Sequence, residues 1–150
     1  MISLKVKLHS LCQAYIEQRI DTAQKAIAIA QASANEETKS SAGDKYETGR
    51  AMAQLEIEKN STQLAEAQKL KVALAQIKPD HPTNIVQSGS LVITNQGNFY
   101  IAISAGQLMV DNTSYFSISS VSPIGSKLIG LKEGAQFSFN TKTYQIEKVY

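Results

Sequence analysis

Apolar residues recur at helical spacing through the first half of the chain. Between residues 4 and 34 they fall three or four positions apart, and the later members of the stripe are mostly alanine. The stripe consists of Leu4, Leu8, Leu11, Tyr15, Ile16, Ile20, Ala23, Ile27, Ala30 and Ala34. A stripe this narrow is typical of a two-helix coiled coil, and its small side chains require closely spaced backbones. It predicts a long, slim first helix.

A second helical pattern begins near Asp44 or Lys45 and runs to about Lys78. Its apolar positions are Met52, Leu55, Ile57, Leu64, Ala67, Leu70, Leu74 and Ile77. Asn60 and Lys71 fall near this seam, where polar residues commonly fix the register of a coiled coil. The segment 35–44 between the two patterns is polar, and Asp44 is a candidate N-cap. Residues 1–78 are therefore predicted to form an antiparallel helical hairpin with its tip near 35–44.

The pattern changes after a proline-containing linker at 79–84. Residues 85–150 alternate in short runs typical of strands, separated by glycine and asparagine turns. The predicted strands are 91–94, 99–103, 108–110, 115–118 and a closing pair turned at Asn140-Thr141-Lys142. Pro123 to Ile129 is predicted to be one short helix, stopped by Gly130. The chain thus belongs to the α+β class, with an antiparallel sheet or half-barrel after the hairpin.

Charge and composition remove several classes of protein. The chain holds 15 basic and 13 acidic residues, and a formal net charge of +2 is too small to indicate nucleic-acid binding. No apolar run is long enough to span a membrane, and the first residues do not resemble a secretion signal. The single cysteine cannot form an internal disulfide, so we expect a cytoplasmic protein. Cys12 is expected to be an unreactive thiol beside the apolar stripe, and His9 to face solvent.

The tip carries the remaining candidate chemistry. Glu36, Glu37, Asp44 and Glu47 place four carboxylates within twelve residues. Carboxylates suit Mg²⁺, which is commonly held by one or two of them together with several waters. No stable metal site is expected in the free protein, but the tip could complete a site that another protein supplies. The alternatives are a solvated tip on a coiled-coil spacer or an oligomerisation stalk.

The segment Ser122-Pro123-Ile124-Gly125-Ser126-Lys127-Leu128-Ile129-Gly130-Leu131-Lys132-Glu133-Gly134 adds a resemblance. It is similar to a signature of the Gre family (the GreA/GreB type) of bacterial transcription elongation and transcript-cleavage factors. The order of the two halves resembles that family too, as does the terminal segment 144–150. This resemblance implies an FKBP-like C-terminal domain at 85–150, which would contain the predicted strands and the short helix.

The resemblance also implies a partner. Gre factors insert their hairpin through the secondary channel of RNA polymerase, and their tip acids help hold Mg²⁺ in the polymerase active site. Here Glu36, Glu37 and Asp44 would take that role, with transcript RNA contacted only indirectly. The implied contact residues are Lys39, Ser41, Lys45, Tyr46 and Arg50 on the hairpin, and Asp111 and an exposed Tyr115 at the channel rim. The protein would be a monomer without a cofactor or an enzymatic activity of its own.

One departure from the family pattern leaves alternatives open. The family's cleavage motif is Asp-x-x-Glu, seven and four residues before a tyrosine that corresponds to Tyr46. Those positions hold Lys39 and Ala42 in this chain. A regulator that occupies the channel without stimulating cleavage is therefore an alternative. A coiled-coil adaptor unrelated to transcription is another, and an isolated prolyl isomerase is the least favoured.

Overall fold

The computed structural model describes residues 1–38 and 43–150, and the side chains of these residues apart from 37, 38 and 43–46. The helices are α1 (Ile2–Thr38), α2 (Gly43–Ala75) and α3 (Pro123–Leu128). The strands are β1 (Leu91–Thr94), β2 (Gly97–Ala102), β3 (Gly106–Val110), β4 (Thr113–Ser119), β5 (Gln136–Phe139) and β6 (Lys142–Val149). Two long helices thus precede a sheet with one short helix, which confirms the α+β class.

The chain divides into two compact units. The sheet unit comprises Met1–Tyr15 and Val72–Tyr150, and the helical unit comprises Ile16–Lys71. The first turns of α1 and the last residues of α2 therefore belong with the sheet. The division expected from the sequence, with a hairpin at 1–78, a linker at 79–84 and a domain at 85–150, stays a prediction.

α2 ends at Ala75, three residues before the predicted end. Two tighter turns follow it, with the Gln76 amide donating to the Ala73 carbonyl at 3.2 Å and the Ile77 amide to the Leu74 carbonyl at 3.1 Å. Such three-residue spacing is common where a helix stops. Lys78 precedes Pro79, and the proline ring disfavours helical backbone at the residue before it. The proline therefore acts on the helix earlier than the apolar pattern indicated.

The inner side of the helical unit is lined mainly by small residues. On α1, Ile16, Ala23 and Ala30 are buried, which confirms that part of the predicted stripe. On α2 the inner positions are Ala53, Ile57, Asn60, Leu64 and Ala67, spaced four, three, four and three apart. Met52 and Leu55 were predicted to belong to this seam, and that prediction is wrong. They are 64% and 65% exposed, because Ala53 takes the inner position next to them.

Polar pairs join the two helices of this unit. Lys71 Nζ lies 3.0 Å from a Glu17 oxygen, and Arg19 contacts Gln63 at 3.2 Å and Glu66 at 3.8 Å. Higher numbers on α1 meet lower numbers on α2, so the helices run antiparallel. Asn60 does not reach α1 in these contacts: its amide donates to the Glu56 carbonyl of its own helix at 2.8 Å.

The sheet has the strand order β3-β4-β2-β1-β6-β5. β2 and β4 pair in parallel, whereas β1–β2, β1–β6, β3–β4 and β5–β6 are antiparallel. The expectation of an antiparallel sheet is therefore wrong for one pair. β4 lies between β2 and β3, so two consecutive strands are not neighbours. Local sequence patterns carry no signal for such non-sequential pairing.

An apolar core fills one face of the sheet, between the strands and α3. Its buried members are Val86, Val92, Phe99, Ile101, Leu128, Tyr144 and Ile146. The Phe137 and Tyr144 rings stack with centroids 4.9 Å apart. Removal of these large apolar side chains from water holds the sheet unit together.

Among the described residues, no helix is both long enough and apolar enough to cross a membrane.

Candidate functional site

The acid-bearing end of the helical unit comprises the last turn of α1 and the first turn of α2. α1 ends at Thr38 and α2 begins at Gly43. Glu36 and Glu37 therefore lie in the last turn of α1, and Asp44 in the first turn of α2. Asp44 lies inside α2, whereas an N-cap residue would precede the helix. Because the helices are antiparallel, the backbone brings these three acids to the same end of the helical unit.

Helix dipoles act oppositely on these acids. The C-terminal end of a helix carries partial negative charge, so an acid there costs about 0.3–1 kcal/mol. Glu36 and Glu37 occupy that end of α1, whereas Asp44 lies at the favourable N-terminal end of α2. The Glu36 side chain is exposed.

The other hairpin residues predicted to contact a partner are only partly described. Lys39 and Ser41 lie outside the described residues. Lys45 and Tyr46 lie in α2, and their side chains are not among those described. Arg50 is exposed on α2. Within the described part of the chain, no group of three or more His, Cys, Asp or Glu side chains could hold a metal ion.

A shallow apolar groove lies on the helical unit near its acid-bearing end. This hairpin groove has a volume of about 600 Å³ and is lined by both helices. Its lining includes Ala26, Ile29, Ala30, Met52, Ala53 and Leu55. Ile29 is 72% exposed, as expected where alanines leave little side chain to cover a neighbour. Large apolar side chains thus remain accessible to solvent beside the narrow seam.

The predicted rim surface falls on the β3–β4 hairpin. Asp111 is exposed and forms a two-residue turn with Asn112, with φ angles of 50° and 64°. The expected exposure of Tyr115 is wrong, because this side chain is only 8% exposed. Alternation along β4 turns Tyr115 inward and leaves its neighbour Phe116 40% exposed. Of these two aromatic residues, Phe116 is the one at the surface.

The segment that carries the family resemblance has clear structural roles. Ser122 caps α3: its side-chain oxygen accepts from the Gly125 amide at 3.1 Å and donates to the Ser119 carbonyl at 2.7 Å. Pro123 begins the helix, and Leu128 is fully buried in the core. A Cβ on Gly125 would lie 2.0 Å from the Ser119 carbonyl oxygen. These contacts tie the segment to the fold of the sheet unit, which explains the need for its residue types.

The opposite face of the sheet is covered by a polar stripe that was missed in the sequence. Lys5, His9 and Cys12 lie four and three residues apart on α1, and all three are buried. The expectation that His9 faces solvent is wrong, whereas Cys12 is a buried thiol as expected. The sequence did contain a signal for this stripe, because a polar residue recurs at each helical turn beside the apolar positions. No partner for it was visible in the sequence, because the partners lie 76 or more positions away along the chain.

Each member of this stripe has a hydrogen-bond partner outside α1. Lys5 Nζ donates to the backbone oxygens of His81 at 2.7 Å and Tyr150 at 3.2 Å. Burial lowers the pKa of Lys5, while the charge of Asp80 opposes that shift. In the part of the chain that the structure describes, no buried side-chain nitrogen or oxygen lacks a partner. The stripe is therefore paired throughout, as buried polar groups must be to avoid a large cost.

The hydrogen positions of the Cys12 contact follow from its neighbours. Ser117 Oγ donates its one hydrogen to the Ile103 carbonyl at 2.5 Å, so it accepts from Cys12 Sγ at 3.2 Å. Cys12 is then a protonated thiol. Burial raises the pKa of this thiol, against a smaller opposing effect of the Ser117 hydrogen bond. Since the thiolate is the nucleophilic form, this arrangement does not activate Cys12.

Comparisons with known proteins do not extend this description. No protein-family model, no curated protein and no solved structure matches the chain.

Proposed function

We propose that this protein binds bacterial RNA polymerase as a Gre-type secondary-channel factor in the cytoplasm. The observation that carries the proposal is the backbone placement of Glu36, Glu37 and Asp44 at one end of a slim antiparallel helix pair. The capped helix α3 and its Gre-like segment support the second half of the proposal, an FKBP-like C-terminal domain that docks at the channel rim. The proposed partner surface of that domain includes Asp111.

The slimness of the helical unit supports entry into a channel. Its α1 portion runs from Ile16 to Thr38, which corresponds to about 35 Å of helix. Alanines at Ala23, Ala30 and Ala53 let the two backbones approach closely. A helix pair with little side-chain bulk at its seam is suited to a confined passage, and its acids would reach deepest.

The acids are suited to a Mg²⁺ ion that the polymerase supplies. Glu36, Glu37 and Asp44 would hold the ion from one side, and its positive charge would relieve the cost of two glutamates at the C-terminal end of α1. Bound Mg²⁺ supplies activation of a water for attack on phosphorus. The protein's own contribution is to position carboxylates, so it has no enzymatic activity alone.

A non-cleaving channel regulator is the second candidate function. Lys39 and Ala42 stand where the family's cleavage motif has two acids. Binding in the channel without transcript cleavage would need the same helical shape but not the acids. A coiled-coil adaptor unrelated to transcription would need neither polymerase nor the tip charge.

The test uses the full chain with core RNA polymerase and with stalled, backtracked transcription complexes. We expect co-purification with the polymerase and displacement by a Gre factor. Shortening of the transcript that is lost in an E36Q/E37Q/D44N variant would assign the cleaving role to the tip acids. A matched E56Q/E58Q/E147Q variant, which removes three acids elsewhere, should leave shortening unchanged.

The remaining outcomes separate the candidates. Binding that is displaced by a Gre factor, with no shortening by the wild-type protein, assigns the non-cleaving role. Shortening that is indifferent to E36Q/E37Q/D44N removes the metal-holding role of the acids. Failure to bind the polymerase, by a protein whose circular dichroism shows it folded, contradicts the proposal and favours the adaptor.

A further inference from the structure

A buried histidine joins the first turns of α1 to the middle of the sheet. His9 Nδ1 lies 2.9 Å from the Tyr100 hydroxyl oxygen, and the two rings meet edge to face with centroids 6.2 Å apart. Tyr100 is fully buried and His9 is 8% exposed. Both residues belong to the sheet unit. This contact is separate from the acids and surfaces used in the proposed function.

The protonation states of the pair follow from burial. Burial raises the pKa of Tyr100 far above its ordinary value, so the hydroxyl keeps its proton. Among the described residues the Tyr100 hydroxyl has no other hydrogen-bond partner, so the assignment that satisfies its hydrogen has the phenol donating and His9 Nδ1 accepting. A ring nitrogen can accept only when it carries no proton. In this arrangement His9 is neutral, with its proton on Nε2, and a proton on Nδ1 would remove the acceptor of the Tyr100 hydrogen.

The charged and titratable groups around His9 do not favour a positive ring. On α1, Lys5 lies one turn before His9 and Cys12 one turn after it, and both are buried. The part of α2 in the same unit, residues 72–75, has no ionisable side chain. From the sheet, Tyr100 is the titratable partner and Ser117 is neutral. Asp80 acts on Lys5, while burial alone lowers the pKa of His9.

We propose that the His9–Tyr100 contact is a pH-sensitive latch, which holds the first turns of α1 on the sheet at neutral pH and releases them when His9 is protonated. A proton taken from solvent would occupy Nδ1, and Tyr100 would lose its acceptor while keeping its own proton. The released segment is the first four turns of α1, up to Tyr15. It also carries Lys5 and Cys12, so their hydrogen bonds to His81, Tyr150 and Ser117 would open with it.

Two unfavourable changes accompany protonation in the docked state. The Tyr100 hydroxyl would be left buried without an acceptor, which costs about 1–3 kcal/mol. An imidazolium would also lie one helical turn from the Lys5 ammonium, in a site where burial already penalises charge. Opening of the segment hydrates both cations and removes both costs.

The direction of the pH effect follows from linkage. The pKa of His9 is lowered in the docked state relative to the ordinary value of 6.5. The open state therefore takes up a proton first as pH falls. Docking is fully stable above about pH 6.5 and weakens below it, and uptake of one proton limits the change to about tenfold per pH unit.

Amide hydrogen exchange on the full chain tests the latch. We expect amides of residues 5–12 to lose protection between about pH 7 and pH 5, after correction for intrinsic exchange, while amides of β1 and β2 keep theirs. The variant H9N retains an acceptor near the Nδ1 position and cannot be protonated, so its protection should not change over this range. The matched variant H81N removes the other histidine, which is exposed, and should behave as the wild type does.

A second measurement on the wild-type chain does not depend on any variant. The ring signals of His9 in a nuclear magnetic resonance titration should report protonation below about pH 6.5, over the range in which residues 5–12 lose protection. The proposal is overturned if His9 gains its proton while these amides stay protected. It is also overturned if protection is independent of pH, if H9N keeps the dependence, or if H81N abolishes it.

Discussion

The two units of this protein bury their apolar residues in opposite ways. In the sheet unit, large side chains such as Tyr100, Ile101 and Leu128 are fully buried. In the helical unit the buried positions are mostly alanines, while Ile29 and Leu55 lie largely in solvent. Burial of large side chains is the main source of folding free energy. The sheet unit therefore has the denser apolar core, whereas the helical unit leaves large apolar side chains in solvent.

The largest expected effect tests the dense core of the sheet unit. Leu128→Ala removes a fully buried side chain from α3 and leaves a cavity, so the free energy of unfolding should fall by about 2–5 kcal/mol. The neighbouring variant Ile129→Ala is the control, because Ile129 is exposed and should cost well under half as much. Urea denaturation followed by tyrosine fluorescence measures both. Equal losses would show that α3 is not anchored by its buried side.

The next effect tests the narrow seam of the helical unit. Ala67 is fully buried, so Ala67→Leu should overpack the seam and cost about 1–3 kcal/mol. Leu55→Ala, at an exposed position on the same helix, should change stability by less than about 0.5 kcal/mol. Far-ultraviolet circular dichroism during urea denaturation follows both variants. A harmless Ala67→Leu together with a costly Leu55→Ala would reverse the assignment of inner and outer positions.

The smallest effect concerns the turn between β5 and β6. Thr141 has a φ angle of 66°, which is unfavourable for a β-branched residue. Thr141→Gly should raise the unfolding free energy by about 1 kcal/mol, because an Asn-Gly pair suits a two-residue hairpin turn. Asn112→Gly in the β3–β4 turn should gain less, since asparagine tolerates this conformation. Thermal denaturation compares the two, and a larger gain at Asn112 would contradict the strain assigned to Thr141.

Local patterns predicted most of the secondary structure. The short helix, expected at Pro123–Ile129, is present at Pro123–Leu128, because a capping serine, a first-turn proline and a stopping glycine all lie nearby in the sequence. The strand positions were predictable too, because alternation and turn residues are also signals that lie close together in the sequence. The parallel pairing of β2 with β4 was not predicted, because it depends on which distant strands meet.

Burial was less predictable where both faces of the sheet are covered. Tyr115 and Phe116 are adjacent aromatics, so alternation alone does not say which one points inward. The sequence indicated a surface position for His9, because its partner, Tyr100, lies 91 positions away. The candidate site shows a similar limit. Acids at the hairpin end are visible in the sequence, but helix bounds were needed to place Glu37 and Asp44 at one end of the helical unit.

The central proposal is that the helical unit enters the secondary channel of RNA polymerase. The most direct measurement is therefore binding of the full chain to core RNA polymerase in competition with a Gre factor. We predict that the chain binds and that the two proteins exclude each other from the polymerase. Simultaneous binding of both, or no binding by the folded chain, would contradict it.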